Sequence, residues 1–280
     1  MADCSRGFHN LDRKKLKQLG KMREHAFWIL QCLEVLIENA YEAAPLRQPK
    51  PGRIDDLYRL NRADPKRFPT KGERRLELAI WKQWNRDGSK SKEAVFIPGL
   101  CQYVQSYQVP LSEKRPKKSP WQRFDLVAVS STWLPIVVEL KQAGADDTLV
   151  GMLVEAITYA IAIRKAWNKG HLSNEWVNRT ELHERVAGRD AQCPNVLDQV
   201  PVICLAPKRF WKNRFGKPGR VPNAVPHDAR PVFLSLLEAL ETKGLPVAFA
   251  QFDEGPLDSE GFPQIGQPEV IPLWHLRQLP

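Results

Sequence analysis

Two short apolar runs, Phe124-Asp-Leu-Val-Ala-Val129 and Ile136-Val-Val-Glu-Leu-Lys141, most limit how this chain can fold. Both are strand-length, rich in β-branched residues and joined by a short turn, so they read as adjacent strands. Side chains alternate along a strand, which puts Val137, Glu139 and Lys141 on one face and Ile136, Val138 and Leu140 on the other. If the two strands are neighbours, Asp125 lies next to Glu139.

The surrounding pattern extends this hairpin into a fold. A helix is expected over 70–86, with Leu76, Ile80, Trp81 and Trp84 facing inward, and a strand-like run over 94–108, broken at Pro98-Gly99. After Lys141 comes a strongly apolar helix over 147–167, then a buried strand over 200–206. A helix over 230–243, a strand over 246–252 and one further strand near 270–274 complete the series. The order helix, three strands, helix, strand, helix, strand implies an antiparallel meander followed by a right-handed parallel crossover. The expected class is α/β, a central mixed β-sheet flanked by helices, with an N-terminal helical segment.

That segment covers residues 1–69. A helix is expected over 11–44, with an apolar stripe of Phe27, Leu30, Leu33, Leu36 and Ile37. Pro45, Pro49, Pro51, Pro65 and Pro69 mark a connector, with a short helix near 55–60. An α/β core over 70–254 and a Pro- and Gly-rich tail over 255–280 follow.

Composition narrows the function classes. Hydrophobic residues make up 42% of the 280, enough for a sizeable core. The net charge of +10 is uneven: residues 1–124 carry 26 Lys/Arg against 14 Asp/Glu, and residues 125–280 carry 16 against 18. A surplus of this size suits a polyanionic partner, although solubility alone would also explain it. The longest apolar stretch, 149–163, is too short to span a bilayer and contains Glu155. The start of the chain has no apolar leader. Cys4, Cys32, Cys101, Cys193 and Cys204 are odd in number and lack metal-ligand spacing. Neither a disulfide framework nor a zinc site is expected, and a cytoplasmic, reducing environment is. The histidines show no ligand spacing, and no phosphate-binding Walker loop or Gly-x-Ser-x-Gly elbow is present.

The chemistry concentrates around Asp125 and Glu139. Two adjacent carboxylates repel each other, and a divalent cation relieves the repulsion; Mg2+ prefers such oxygen ligands and keeps several waters. The Lys141 ammonium can then orient a water or stabilise charge developing at phosphorus. The bland alternative is a surface salt bridge between Glu139 and Lys141. A second Glu-x-Lys, Glu241-Thr-Lys243, ends an expected helix with no Asp-bearing strand before it, and reads as a solvated terminus.

Asp125 followed by Glu139-Leu-Lys141, with a helix before and a helix after, resembles the PD-(D/E)xK nuclease superfamily, the restriction-endonuclease-like fold. The resemblance covers roughly residues 70–252, with Phe124 standing where the name-giving proline would be. It implies metal-dependent phosphodiester cleavage to a 5′-phosphate and a 3′-hydroxyl, with Mg2+ as cofactor and Mn2+ as substitute. Asp125, Glu139 and the Leu140 carbonyl would be ligands, and Lys141 would lie near the attacking water. Superfamily members often carry a glutamate on the first helix near the metal, which points to Glu77; the alternative is a helix glutamate neutralised by Arg74. Exonuclease-like members place Gln-x-x-x-Tyr on the following helix, and Glu155-Ala-Ile-Thr-Tyr159 is similar, with Glu replacing Gln. Its alternatives are a structural Glu155–Tyr159 pair or a pairing of Glu155 with Lys141.

Two basic stretches complete the candidates. One loop carries Lys114, Arg115, Lys117 and Lys118. The other carries Lys208, Arg209, Lys212, Arg214, Lys217 and Arg220, interleaved with Phe210, Trp211 and Phe215 and free of acids from Val200 to His227. Cations for phosphates and rings for bases suit a nucleic-acid groove. The first functional reading is a Mg2+-dependent nuclease acting on DNA rather than RNA. The alternative is a solvated loop whose aromatics anchor in the core. The N-terminal helix would add substrate contacts or a homodimer interface. Two rival readings stay open: a nucleic-acid-binding or assembly module without turnover, and an unrelated α/β protein with an accidental motif.

Overall fold

The computed structural model describes residues 7–11, 13–16, 18, 21–47, 72–85, 95–111, 123–180, 194–215 and 226–272. The expected helix near 55–60 and the basic loop Lys114–Lys118 lie outside them, as do Lys217 and Arg220.

Helices α1 (Arg13–Leu16), α2 (Met22–Ala43) and α3 (Glu73–Trp84) precede strands β1 (Cys101–Pro110), β2 (Arg123–Ser130) and β3 (Pro135–Leu140). Then come α4 (Leu149–Asn168), α5 (Ser173–Thr180), β4 (Val202–Pro207), α6 (Lys208–Phe215), α7 (Arg230–Thr242), β5 (Val247–Phe252), β6 (Glu254–Leu257), β7 (Pro263–Ile265) and β8 (Glu269–Ile271). The main sheet runs β1-β2-β3-β4-β5-β8. The first three strands form an antiparallel meander, β4 and β5 continue parallel to β3, and β8 closes the sheet antiparallel to β5. The fold is therefore α/β with a mixed central sheet and helices on both faces, as the order of elements predicts.

Each sheet face has its own core. Val127, Val129, Val137, Val202 and Cys204 pack on the side of α2, α4 and α7, while Leu126, Ala128, Ile136, Val138 and Leu140 pack on the side of α3. A one-residue slip would exchange the two sets, so the β2–β3 register is strongly specified. The turn fixes it locally: the Ser130 N–H donates to the Leu134 carbonyl at 2.9 Å, and Trp133 adopts φ 66°.

Helix α4 is buried nearly all round because α2 covers it as an outer layer. Met22, Ala26, Ile29, Cys32, Leu33, Leu36, Ile37 and Ala40 are the buried residues α2 contributes to the core, while Phe27 is 49% exposed. Of the anticipated stripe, Leu33, Leu36 and Ile37 are buried and Leu30 packs partly buried against the same cluster, so only Phe27 departs from it. The main helix also begins only at Met22, one residue beyond the helix-disfavouring Gly20 and its neighbour Lys21. The N-terminal segment does not stand apart from the α/β core, since α2 shares a hydrophobic cluster with α4, α7 and the sheet. The C-terminal tail is likewise partly integrated, with β8 paired in the main sheet and Phe262 and Ile265 buried against α3's side. Helix α4 itself starts at a Thr148 cap, whose Oγ1 accepts from the Gly151 N–H at 3.1 Å and donates to the Leu16 carbonyl at 2.6 Å.

No helix among the described residues is long and apolar enough to cross a membrane. Cys101 and Cys204 are free and buried, whereas Cys32 is disulfide-bonded. That bond departs from the reducing environment the cysteine count suggested, because cysteine spacing in the chain carries no information on which pairs meet in space.

Candidate active site

The β2–β3 ladder pairs Val127 with Val137 and Leu126 with Val138, then stops. One more step in that register sets Asp125 opposite Glu139. There the backbone ladder gives way to a side chain: Asp125 Oδ2 accepts from the Leu140 N–H at 2.9 Å. The N–H and C=O of one trans peptide point in opposite directions. Because the Lys141 N–H donates towards β4, to the Leu205 carbonyl, the Leu140 carbonyl points away from β4, to the side carrying Asp125. Two carboxylates and a main-chain carbonyl therefore meet at one end of the sheet.

Glu139 and Lys141 sit on the α4 face and are buried. The Lys141 ammonium lies between two carboxylates, 2.6 Å from Glu139 Oε1 and 2.7 Å from Glu155 Oε2 on α4. The salt-bridge alternative is thus correct as to contact, but the pair is buried rather than on the surface, and it includes Glu155. Among the described residues, Glu139 Oε2 is buried without a hydrogen-bond partner. Tyr159, one turn beyond Glu155, is buried with its ring 5.8 Å from that of Phe124.

Helix α3 closes the other side. Glu77 is buried and accepts a hydrogen bond from the Gln108 side-chain amide. That pairing, rather than the alternative one with Arg74, is its main local contact. Two residues not anticipated from the sequence join here. Gln108 adopts φ 50°, and around it the strand's faces exchange, with Tyr107 and Val109 entering opposite cores. Glu73, one turn before Glu77, is partly buried and accepts from the Gln142 backbone N–H just after β3. Its i, i+4 spacing to Glu77 was the available signal.

The electrostatics follow from crowding five carboxylates around one ammonium. Burial, and then the neighbouring Asp125 charge, push Glu77 and Glu139 well above the ordinary carboxylate range. Burial raises Asp125 to about 7, against the lowering effect of Lys141 and the Leu140 hydrogen bond. Burial alone would lower Lys141, but Glu139, Glu155, Asp125 and Glu73 hold it well above its usual value. The lysine stays charged, and without a further cation the carboxylates are under-neutralised.

Among the described residues no group of three or more His, Cys, Asp or Glu side chains is gathered as a ready metal cage. Mg2+ does not need one, since it is commonly held by one or two carboxylates and completes its shell with water and substrate oxygens. Asp125, the partnerless Glu139 Oε2 and the Leu140 carbonyl are hard oxygen donors of the right kind.

The described part of the second basic stretch, Lys208–Phe215, forms helix α6 rather than a loop. It begins where β4 ends, at the same end of the sheet as Lys141, because β3 and β4 run parallel. Arg209 and Lys212 are exposed. Lys208 pairs with Asp253 at 2.7 Å and Glu269 at 3.4 Å. Arg214 departs from the expected phosphate-binding role. It is 1% exposed, donates to the Ala145 and Asp147 carbonyls at 2.7 and 2.8 Å, and stacks over Phe210. Phe210 and Trp211 are buried anchors, as the alternative reading held.

Searches of family models, characterised proteins and solved structures find no match to this chain.

Proposed function

We propose that this protein is a Mg2+-dependent nuclease that hydrolyses phosphodiester bonds in nucleic acid, with DNA as the preferred substrate and a restriction-endonuclease-like core. The observation that carries the reading is the meeting of Asp125, Glu139 and the Leu140 carbonyl at the end of the β2–β3 pair, with Lys141 on the face of Glu139.

Asp125, Glu139 and the Leu140 carbonyl would hold the ion, which when bound supplies Lewis acidity and lowers the pKa of a coordinated water. Lys141, fixed by Glu155, lies beside these donors, where an ammonium can orient the attacking water and offset charge on the phosphoryl oxygens. Water attacks phosphorus in line, the new O–P bond forms as the P–O3′ bond breaks, and the 3′ oxygen leaves as a hydroxyl after taking a proton. Glu77 and Glu73 bound the site from α3, and exposed Arg209 and Lys212 on α6 offer phosphate contacts near the same sheet end.

The test is incubation of the purified protein with plasmid, linear duplex and single-stranded DNA, and with RNA, in Mg2+ and in chelator. Mg2+-dependent cutting that Asp125→Ala and Glu139→Ala each abolish is the expected result. Cutting that survives either change, or binding with no cutting of any substrate by the wild type, contradicts the reading.

A further inference from the structure

Lys141 is bonded to Glu139 and to Glu155 at nearly equal lengths, 2.6 and 2.7 Å. Glu139 is a ligand in the proposed reading and Glu155 is not. Glu139 sits at the end of β3, opposite Asp125 in the extended register, whereas Glu155 belongs to α4 and is more open to solvent, its side chain 13% exposed against 3% for Glu139. An ammonium and a divalent ion cannot both draw fully on one carboxylate. We infer that Glu155 is a positioning residue that takes over Lys141 when Glu139 turns its charge to a divalent cation. The inference rests on the proposed metal site and adds the residue that keeps the lysine in place once the ion arrives.

Two features of the cluster support a hand-over rather than a fixed structural bridge. The lysine has a second acceptor already within bonding distance, so its ammonium need not move far to change its main partner. Among the described residues nothing bonds the other Glu139 oxygen, the buried Oε2, so ion binding requires no hydrogen bond besides the one to Lys141 to give way. Glu155 therefore shares Lys141 with Glu139 while Glu139 is available, and is its main partner once it is not. A merely structural glutamate would matter equally in both states.

The experiment uses the full chain and Mg2+ alone, without nucleic acid. The 1H–15N signal of the Lys141 ammonium is followed by NMR while Mg2+ is added, and Mg2+ affinity is measured by calorimetry on wild type and Glu155→Gln. In the wild type the ammonium signal should shift yet persist at saturation, showing that a partner still holds it. In Glu155→Gln it should be visible without Mg2+ and be lost to solvent exchange with it, and affinity should fall roughly tenfold, the scale of one charge-assisted hydrogen bond. Loss of the signal in saturated wild type, a measurement that does not depend on the variant folding, overturns the inference. So does equal affinity in the two proteins. Failure of the wild type to bind Mg2+ at all overturns the proposed function as well, and the two failures are thereby distinguished.

Discussion

Asp125→Asn isolates the cost of assembling the acidic cluster. Asn retains an oxygen to accept from the Leu140 N–H but removes one negative charge facing Glu77 and Glu139 and near Glu73 and Glu155. The Asp125 carboxyl is raised from 3.8 to about 7 in the folded protein. Folded protein therefore binds more protons than unfolded chain between those values, and stability falls as pH rises through that window. At about 1.4 kcal/mol per unit, the full penalty above pH 7 is at most about 4 kcal/mol, and local relaxation around the carboxyl lowers it further. In chelator, wild type and Asp125→Asn should melt together near pH 4. They should then diverge as pH rises to 8, where the variant is more stable by about 1–4 kcal/mol, or several degrees in Tm. Added Mg2+ should stabilise wild type at pH 8 and leave the variant unmoved. A pH-independent gap, or a variant less stable than wild type at pH 8, would refute the claim that this carboxylate is held there at a cost.

Other perturbations separate scaffold from site. Leu36→Ala empties a fully buried position on α2 and should cost about 2–5 kcal/mol; a single unfolding transition, shifted as a whole in denaturant, is expected, and a separate early transition of the N-terminal helix would contradict the shared core. Arg214→Ala should cost about 3 kcal/mol by freeing two partly buried carbonyls and leaving Phe210 uncovered, whereas Arg209→Ala with Lys212→Ala should change Tm little. The latter pair should instead weaken nucleic-acid binding and lower its log–log salt slope by about one unit for each phosphate no longer neutralised. An unchanged slope would place the groove elsewhere.

The sheet was legible because its strands obey local rules. Phe124–Ser130 and Pro135–Leu140 are short, β-branched apolar runs suited to burial on both faces, and their turn is short, so they pair as neighbours and bring Asp125 and Glu139 together. Glu155 was visible as the lone acid on an apolar helix, and its pairing with Lys141 was among the alternatives the sequence offered. What escaped depended on distant packing. Nothing near Met22 says that α2 will cover α4, so the apolar character of α4 could not be read as burial beneath a second layer. Gln108 and Glu73 are ordinary polar residues whose importance comes from a φ of 50° and from a backbone N–H beyond β3. Arg214 looked like its basic neighbours, and only the fold turns it inward to tie down the connection between β3 and α4.

The most direct test of the metal site is diffraction from crystals soaked in Mn2+, with anomalous scattering locating the ion without reference to activity. The expected result is a single strong peak in contact with Asp125, Glu139 and the Leu140 carbonyl, with Lys141 retained by Glu155. A map with no peak there at saturating Mn2+, and Lys141 still bridging Glu139 and Glu155, would contradict the account.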